Sequence, residues 1–148
     1  LVDELTTVHT GWIAKVSQTP PHHRAVLERL GERHRLAICS NFSHTPTAMA
    51  ILERDGLRDL FDVVVISADL GLRKPRREIF EHTLRELGCA PERTRHVGDQ
   101  LAKDVAGPAP LGVETVWVTR RVADLADMQA RYEGPSPSRV LGDLDELR

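Results

Sequence analysis

At 148 residues, with 41% hydrophobic and 28% charged side chains, the chain has the size and make-up of one globular domain with its own core. A formal net charge of −2 gives no basic field for nucleic acid, and no apolar stretch approaches the ~20 residues of a membrane span. Neither partner is therefore expected, and the isolated Cys39 and Cys89, without ligand spacing, read as reduced thiols of a cytoplasmic protein.

Leu1, Val2, Leu5, Val8, Trp12 and Val16 recur mostly at three- and four-residue steps, which predicts an amphipathic helix ending at Thr19-Pro20-Pro21. A second helix is expected from about His22 to Arg33, then a buried strand over Arg35 to Ser40. Thr45-Pro46 opens a helix that continues from Ala48 to Asp55, with Gly56 placed to end it. Asp62 to Ser67 reads as the next strand, and Pro75 to Leu87 as a helix closed by Gly88. Further strands are expected over Thr94 to Val97 and Val113 to Val118, separated by a helix that Pro108 and Pro110 make short or broken. Arg121 to Arg131 reads as helical, Gly134 to Ser138 as a turn-rich linker, Arg139 to Leu141 as an edge strand and Asp143 to Leu147 as one helical turn. Alternating strands and helices point to a parallel α/β sheet covered on both faces.

Three polar sites fall at or just beyond strand ends: Ser40-Asn41, Lys74-Pro75, and Gly98-Asp99 followed by Asp104. Ligands of open α/β sheets bind outside the carboxyl ends of the strands, so the three sites are expected to converge on one crevice. Asp99 and Asp104 are hard oxygen ligands suited to Mg²⁺. Lys74 offers a compact positive charge for a phosphate oxygen or a carboxylate, and Pro75 biases it toward extended backbone. The Ser40 hydroxyl and the Asn41 backbone N–H can donate to a phosphoryl oxygen.

In that order and spacing, Ser40-Asn41, Lys74-Pro75 and Gly98-Asp99 with Asp104 resemble motifs two, three and four of the haloacid dehalogenase (HAD) superfamily. The resemblance covers roughly residues 20–148, and the Gly-Asp-x₄-Asp form is similar to the Mg²⁺-dependent phosphatase branch. It implies a Rossmann-like α/β core, a three-layer parallel sheet, with a remnant of a helical cap over residues 1–20 and the core over 21–148. It further implies that Ser40 and Asn41 bind phosphate, that Lys74 steadies nucleophile and phosphate, and that Ser40 and Lys74 take part in catalysis. Asp99 would ligate Mg²⁺, and Asp104 would hold the metal or its water. The substrate would be a small phosphorylated metabolite, hydrolysed through an aspartyl-phosphate.

The family's first motif, Asp-x-Asp-x-Thr on the central strand, has no match here; its first aspartate is the nucleophile and its second the acid/base. Asp69 lacks a partner aspartate two residues on and is rejected as a substitute. Together with the non-methionine Leu1, this leads to the expectation of an N-terminally truncated chain, missing its first, central strand and inactive alone. A second segment or chain would supply that strand; otherwise the strands holding Ala37 and Val97 would have to pair directly. The alternatives are a non-catalytic module that keeps the phosphate and metal pocket, or a dehalogenase, disfavoured because the Asp99/Asp104 pair suits a metal. Taken singly, each site also has an ordinary reading as a turn, a solvated basic loop or a helix-end charge. His44 reads as a loop residue within reach of the Ser40 turn, His96 as a satisfied strand histidine, and Trp12 and Trp117 as packing residues.

Overall fold

The computed structural model describes residues 10–147, so the first part of the helix expected from Leu1 onward lies outside the described residues. Two compact units make up the chain, Leu1–Gly71 and Leu72–Arg148.

In the first unit, residues 10–16 are helical. The Arg54 guanidinium donates to the Ala14 carbonyl and, at 2.7 Å, to that of Ser17, while the Thr19 hydroxyl donates to Asp55 at 2.7 Å. Helix α1 spans Pro21–Gly31, with Pro21 at its first position, where a missing N–H costs nothing. Strand β1 is Ala37–Ser40, α2 is Thr45–Arg54, and β2 is Val63–Ile66. The two strands pair in parallel, Ala37 with Val63 through Ser40 with Ile66, and α2 is the crossover that parallel pairing requires. Asp62, read as strand from sequence, instead bonds back to Leu36: its carboxylate accepts from the Leu36 N–H at 2.9 Å and its own N–H donates to the Leu36 carbonyl at 2.9 Å. Ser67 likewise leaves the strand and begins a four-residue helix, α3 (Ser67–Leu70).

The second unit holds α4 (Arg77–Leu87), β3 (Arg95–Gly98), β4 (Glu114–Val118), α5 (Leu125–Ala130) and β5 (Arg139–Leu141). Its sheet has the order β3-β4-β5, all parallel. The central strand β4 is buried from Thr115 onward and ends in the apolar run Val116-Trp117-Val118, as befits a strand covered on both faces; Val116 and Trp117 have no exposed surface. Thr115, the buried polar residue of β4, exchanges hydrogen bonds with Ser138: its N–H donates to the Ser138 hydroxyl, and its own hydroxyl accepts from the Ser138 N–H.

Helix α4 buries Ile79, Phe80, Thr83, Leu84 and Leu87, a stripe at helical spacing, and Gly88 ends it at φ 64°, a conformation that favours glycine. It starts two residues later than Pro75 because the Arg76 N–H closes a turn onto the Arg73 carbonyl. The expected helix over Arg121 to Arg131 is confined to Leu125–Ala130, because the Asp124 side chain caps it by accepting from the Asp127 N–H at 2.9 Å. Between β3 and β4 the chain makes one wide π-helical turn, Leu101–Val105, and then a tight turn over Ala109–Leu111. Pro108 and Pro110 keep the segment from continuing as an α-helix, as the sequence predicts. The closing turn, Leu144–Glu146, carries a full capping box between Asp143 and Glu146.

The architecture is thus α/β with parallel strands, in one sheet of two and one of three. Ala37 pairs with Val63 and Val97 with Val116, and among the described residues β1 and β3 are each paired on one side alone.

Candidate active site

In the second unit, the π-helical turn after β3 folds Asp104 back over the strand. A Cβ built on Gly98 would lie 2.3 Å from the Asp104 Cγ, so only glycine lets the carboxylate approach this closely. Asp104 is 3% exposed and both of its oxygens are hydrogen-bonded. Oδ1 accepts from the Lys74 ammonium at 2.7 Å and from the His96 Nε2–H at 3.2 Å, and Oδ2 accepts from the Gln100 backbone N–H at 3.0 Å. Burial by itself would raise this carboxyl's pKa. The His96 hydrogen bond, the charge and hydrogen bond of Lys74 and the Gln100 N–H outweigh it, and hold Asp104 well below the usual carboxylate range. The Lys74 side chain is itself largely buried, so the pair is an internal one. Lys74 precedes a cis peptide bond to Pro75.

Asp99 leaves the end of β3 half-buried, and its carboxylate has no hydrogen bond or ion pair among the described residues. Its main-chain carbonyl, by contrast, accepts from the Trp117 indole N–H at 3.0 Å. A half-buried carboxylate with open oxygens, at the carboxyl end of a parallel strand, fits a hard divalent cation.

In the first unit, Ser40 ends β1 and Asn41 begins the loop to α2. The Ser67 hydroxyl donates to the Phe42 carbonyl at 3.0 Å, and the Thr45 hydroxyl to Asp69 at 2.6 Å. These bonds tie the loop after Ser40 to the exit of β2. His44 is the N-cap of α2, with Nδ1 accepting from the Thr47 N–H and lying 2.9 Å from the Thr47 hydroxyl.

The profile of haloacid dehalogenase-like hydrolases matches residues 7–112, well over half of the chain. The chain belongs to that family. Similar proteins include the pyrimidine 5′-nucleotidase YjjG of Escherichia coli, 38% identical over 65% of this chain and 40% of that protein. A glyceraldehyde 3-phosphate phosphatase of Methanothermobacter thermautotrophicus is 28% identical over 97% of this chain and 63% of its own length. Among solved structures, the HAD phosphatase of Thermococcus onnurineus superposes with a TM-score of 0.75 at 31% identity, over 88% of this chain and 57% of that one. The chain therefore spans about half the length of the relatives that it matches.

Two of the HAD-type residues expected from the sequence, Lys74 and Asp104, meet in a direct ion pair, and Asp99 lies five residues before Asp104 across the same turn. Ser40 and Asn41 stand at a strand end, as expected. Sequence reasoning had His96 as a satisfied strand histidine and Trp117 as a packing residue, and missed their contacts with Asp104 and with the Asp99 carbonyl. The signal for His96 was available: in a strand, residues two apart share a face, so His96 stands on the face of Gly98 over which Asp104 packs. For Trp117 the clue was its register partner, Gly98, one residue before Asp99.

Proposed function

We propose that the chain is the core portion of a Mg²⁺-dependent HAD phosphatase acting on a small phosphorylated metabolite, such as a phosphorylated three-carbon compound or a nucleoside monophosphate. The observation that carries the reading is the internal Lys74–Asp104 pair at 2.7 Å beside the open carboxylate of Asp99. Asp104 holds the Lys74 ammonium in place for an anionic substrate oxygen, and Ser40 and Asn41 offer hydroxyl and N–H donors of the kind that bind a phosphoryl oxygen. Asp99 would hold Mg²⁺, with Asp104 nearby in the following turn. When bound, the cation supplies positive charge to a phosphoryl oxygen.

The nucleophile is not among these residues. The reading places it on an Asp-x-Asp strand from a further segment, which would pair at an edge that β1 or β3 leaves open. That aspartate would attack phosphorus, forming an aspartyl-phosphate and releasing the alcohol, and water would then take up the phosphoryl group as inorganic phosphate and regenerate the carboxylate. The fragment alone is accordingly inactive.

Reading the gene around this region for Asp-x-Asp on an apolar strand is the first test. The complete protein, assayed with and without Mg²⁺ on a panel of phosphorylated metabolites, is expected to release phosphate only with the cation, while the 148-residue chain releases none. Turnover by the 148-residue chain that Asp99→Ala abolishes would overturn the absence of a nucleophile. Halide release from 2-haloacids without phosphatase activity would overturn the phosphatase assignment.

A further inference from the structure

The peptide unit joining Asp99 to Gln100 is held at both of its poles. Its carbonyl accepts from the Trp117 indole N–H at 3.0 Å, and its N–H donates to Asp104 Oδ2 at 3.0 Å. A peptide plane gripped at C=O and N–H cannot turn, so the backbone torsion that follows the Asp99 Cα is fixed. Trp117 is well placed for this task. It is fully buried in β4 and packs with Leu101 and Val105 of the π-helical turn, against which Val122 and Tyr132 also pack. The same side chain therefore meets the Asp99 loop twice: by a hydrogen bond at residue 99, and by apolar contact with the turn that follows.

We propose that Trp117 is a positioning residue for Asp99, whose buried indole N–H holds the Asp99 carbonyl and so sets the direction in which the Asp99 carboxylate leaves β3 to meet a divalent cation. A phenylalanine would fill most of the same space without the N–H, leaving the carbonyl unpaired and the peptide free to rotate. The inference rests on the reading of Asp99 as a cation ligand, and its test separates the two.

The test is direct binding of Mn²⁺ alone to the complete protein, read by electron paramagnetic resonance, with each replacement made at residue 117 alone. The expected result is loss of binding in Asp99→Asn and weakening by about tenfold in Trp117→Phe, the scale usual for partners that orient a metal ligand. Replacing Trp117 by benzothienylalanine, which keeps the ring shape but lacks the N–H, is expected to weaken binding alike. Replacement by 7-azatryptophan, which keeps the N–H, restores it. A merely structural role for the ring would leave the benzothienyl protein at the affinity of the parent. That result overturns the inference while Asp99→Asn still shows the site to be real. Equal binding by the parent and Asp99→Asn, or none by the parent, overturns the cation reading and the inference with it.

Discussion

Replacing Asp104 by asparagine leaves the Lys74 ammonium inside the protein without its counter-charge. The two groups are 2.7 Å apart, with side chains 13% and 5% exposed, so neither is much solvated in the folded state. Breaking such a pair by removing one partner costs about 3–5 kcal/mol. The lower end, about 3 kcal/mol, applies here because asparagine keeps an acceptor oxygen and Lys74 retains a little solvent contact. For a chain of this size that is a fall of roughly 10 °C in Tm. Urea unfolding followed by Trp117 fluorescence, in the Trp12→Phe background, reads the second unit directly. Lys74→Met is expected to destabilise as well, and the double variant by less than the sum of the two, with a coupling of at least about 1 kcal/mol.

The pH dependence has a definite sign. Asp104 titrates below its ordinary value of 3.8, so folding favours its charged form. Its contribution to stability is complete above about pH 4 and drains away as the pH falls from there toward the lowered folded value. Asp104→Asn lacks this acid limb, so the stabilities of parent and variant converge on acidification. An unchanged urea midpoint in Asp104→Asn at pH 7, or strictly additive effects of the two substitutions, would refute the account of the pair.

Gly98→Ala drives a methyl group to 2.3 Å from the Asp104 Cγ, and is expected to cost about 1–3 kcal/mol in urea unfolding. The same substitution should be better tolerated when Asp104 is also replaced by alanine. Ser67→Ala removes the donor to the Phe42 carbonyl and is expected to cost about 1 kcal/mol, with faster amide exchange confined to residues 41–44. Tyr132→Phe removes a hydroxyl that is buried without a hydrogen-bond partner among the described residues, and is expected to be neutral or to stabilise by up to about 1 kcal/mol. A clear loss of stability there would reveal a partner for that hydroxyl.

Much of the fold was legible because its signals are local. The apolar run Val63–Ile66 and the stripe on Arg77–Leu87 predict strand and helix by period alone, and both form within two or three residues of the expected bounds. The ends were less legible because they depend on single side chains: Asp124 cuts α5 short, and Asp62 turns back to Leu36 instead of joining β2. The candidate site was legible as a list of polar residues at strand ends. Its inner ring of contacts was not, because it depends on a turn no propensity announces. The wide turn at Leu101–Val105 carries Asp104 onto the face shared by His96 and Gly98, and that one bend makes a strand histidine a partner of the carboxylate. Trp117 was rightly read as a packing residue, but its N–H had to find an acceptor once buried, and the nearest was the loop that carries Asp99.

The two donors on Asp104 Oδ1 come from different elements, Lys74 from the loop before α4 and His96 from β3. A lysine drawn away by an arriving anion would therefore not strand a bare charge behind it. His96 and the Gln100 N–H would still hold the carboxylate in its seat. The seat of Asp104 is thus built redundantly: its place in the turn does not depend on the lysine alone.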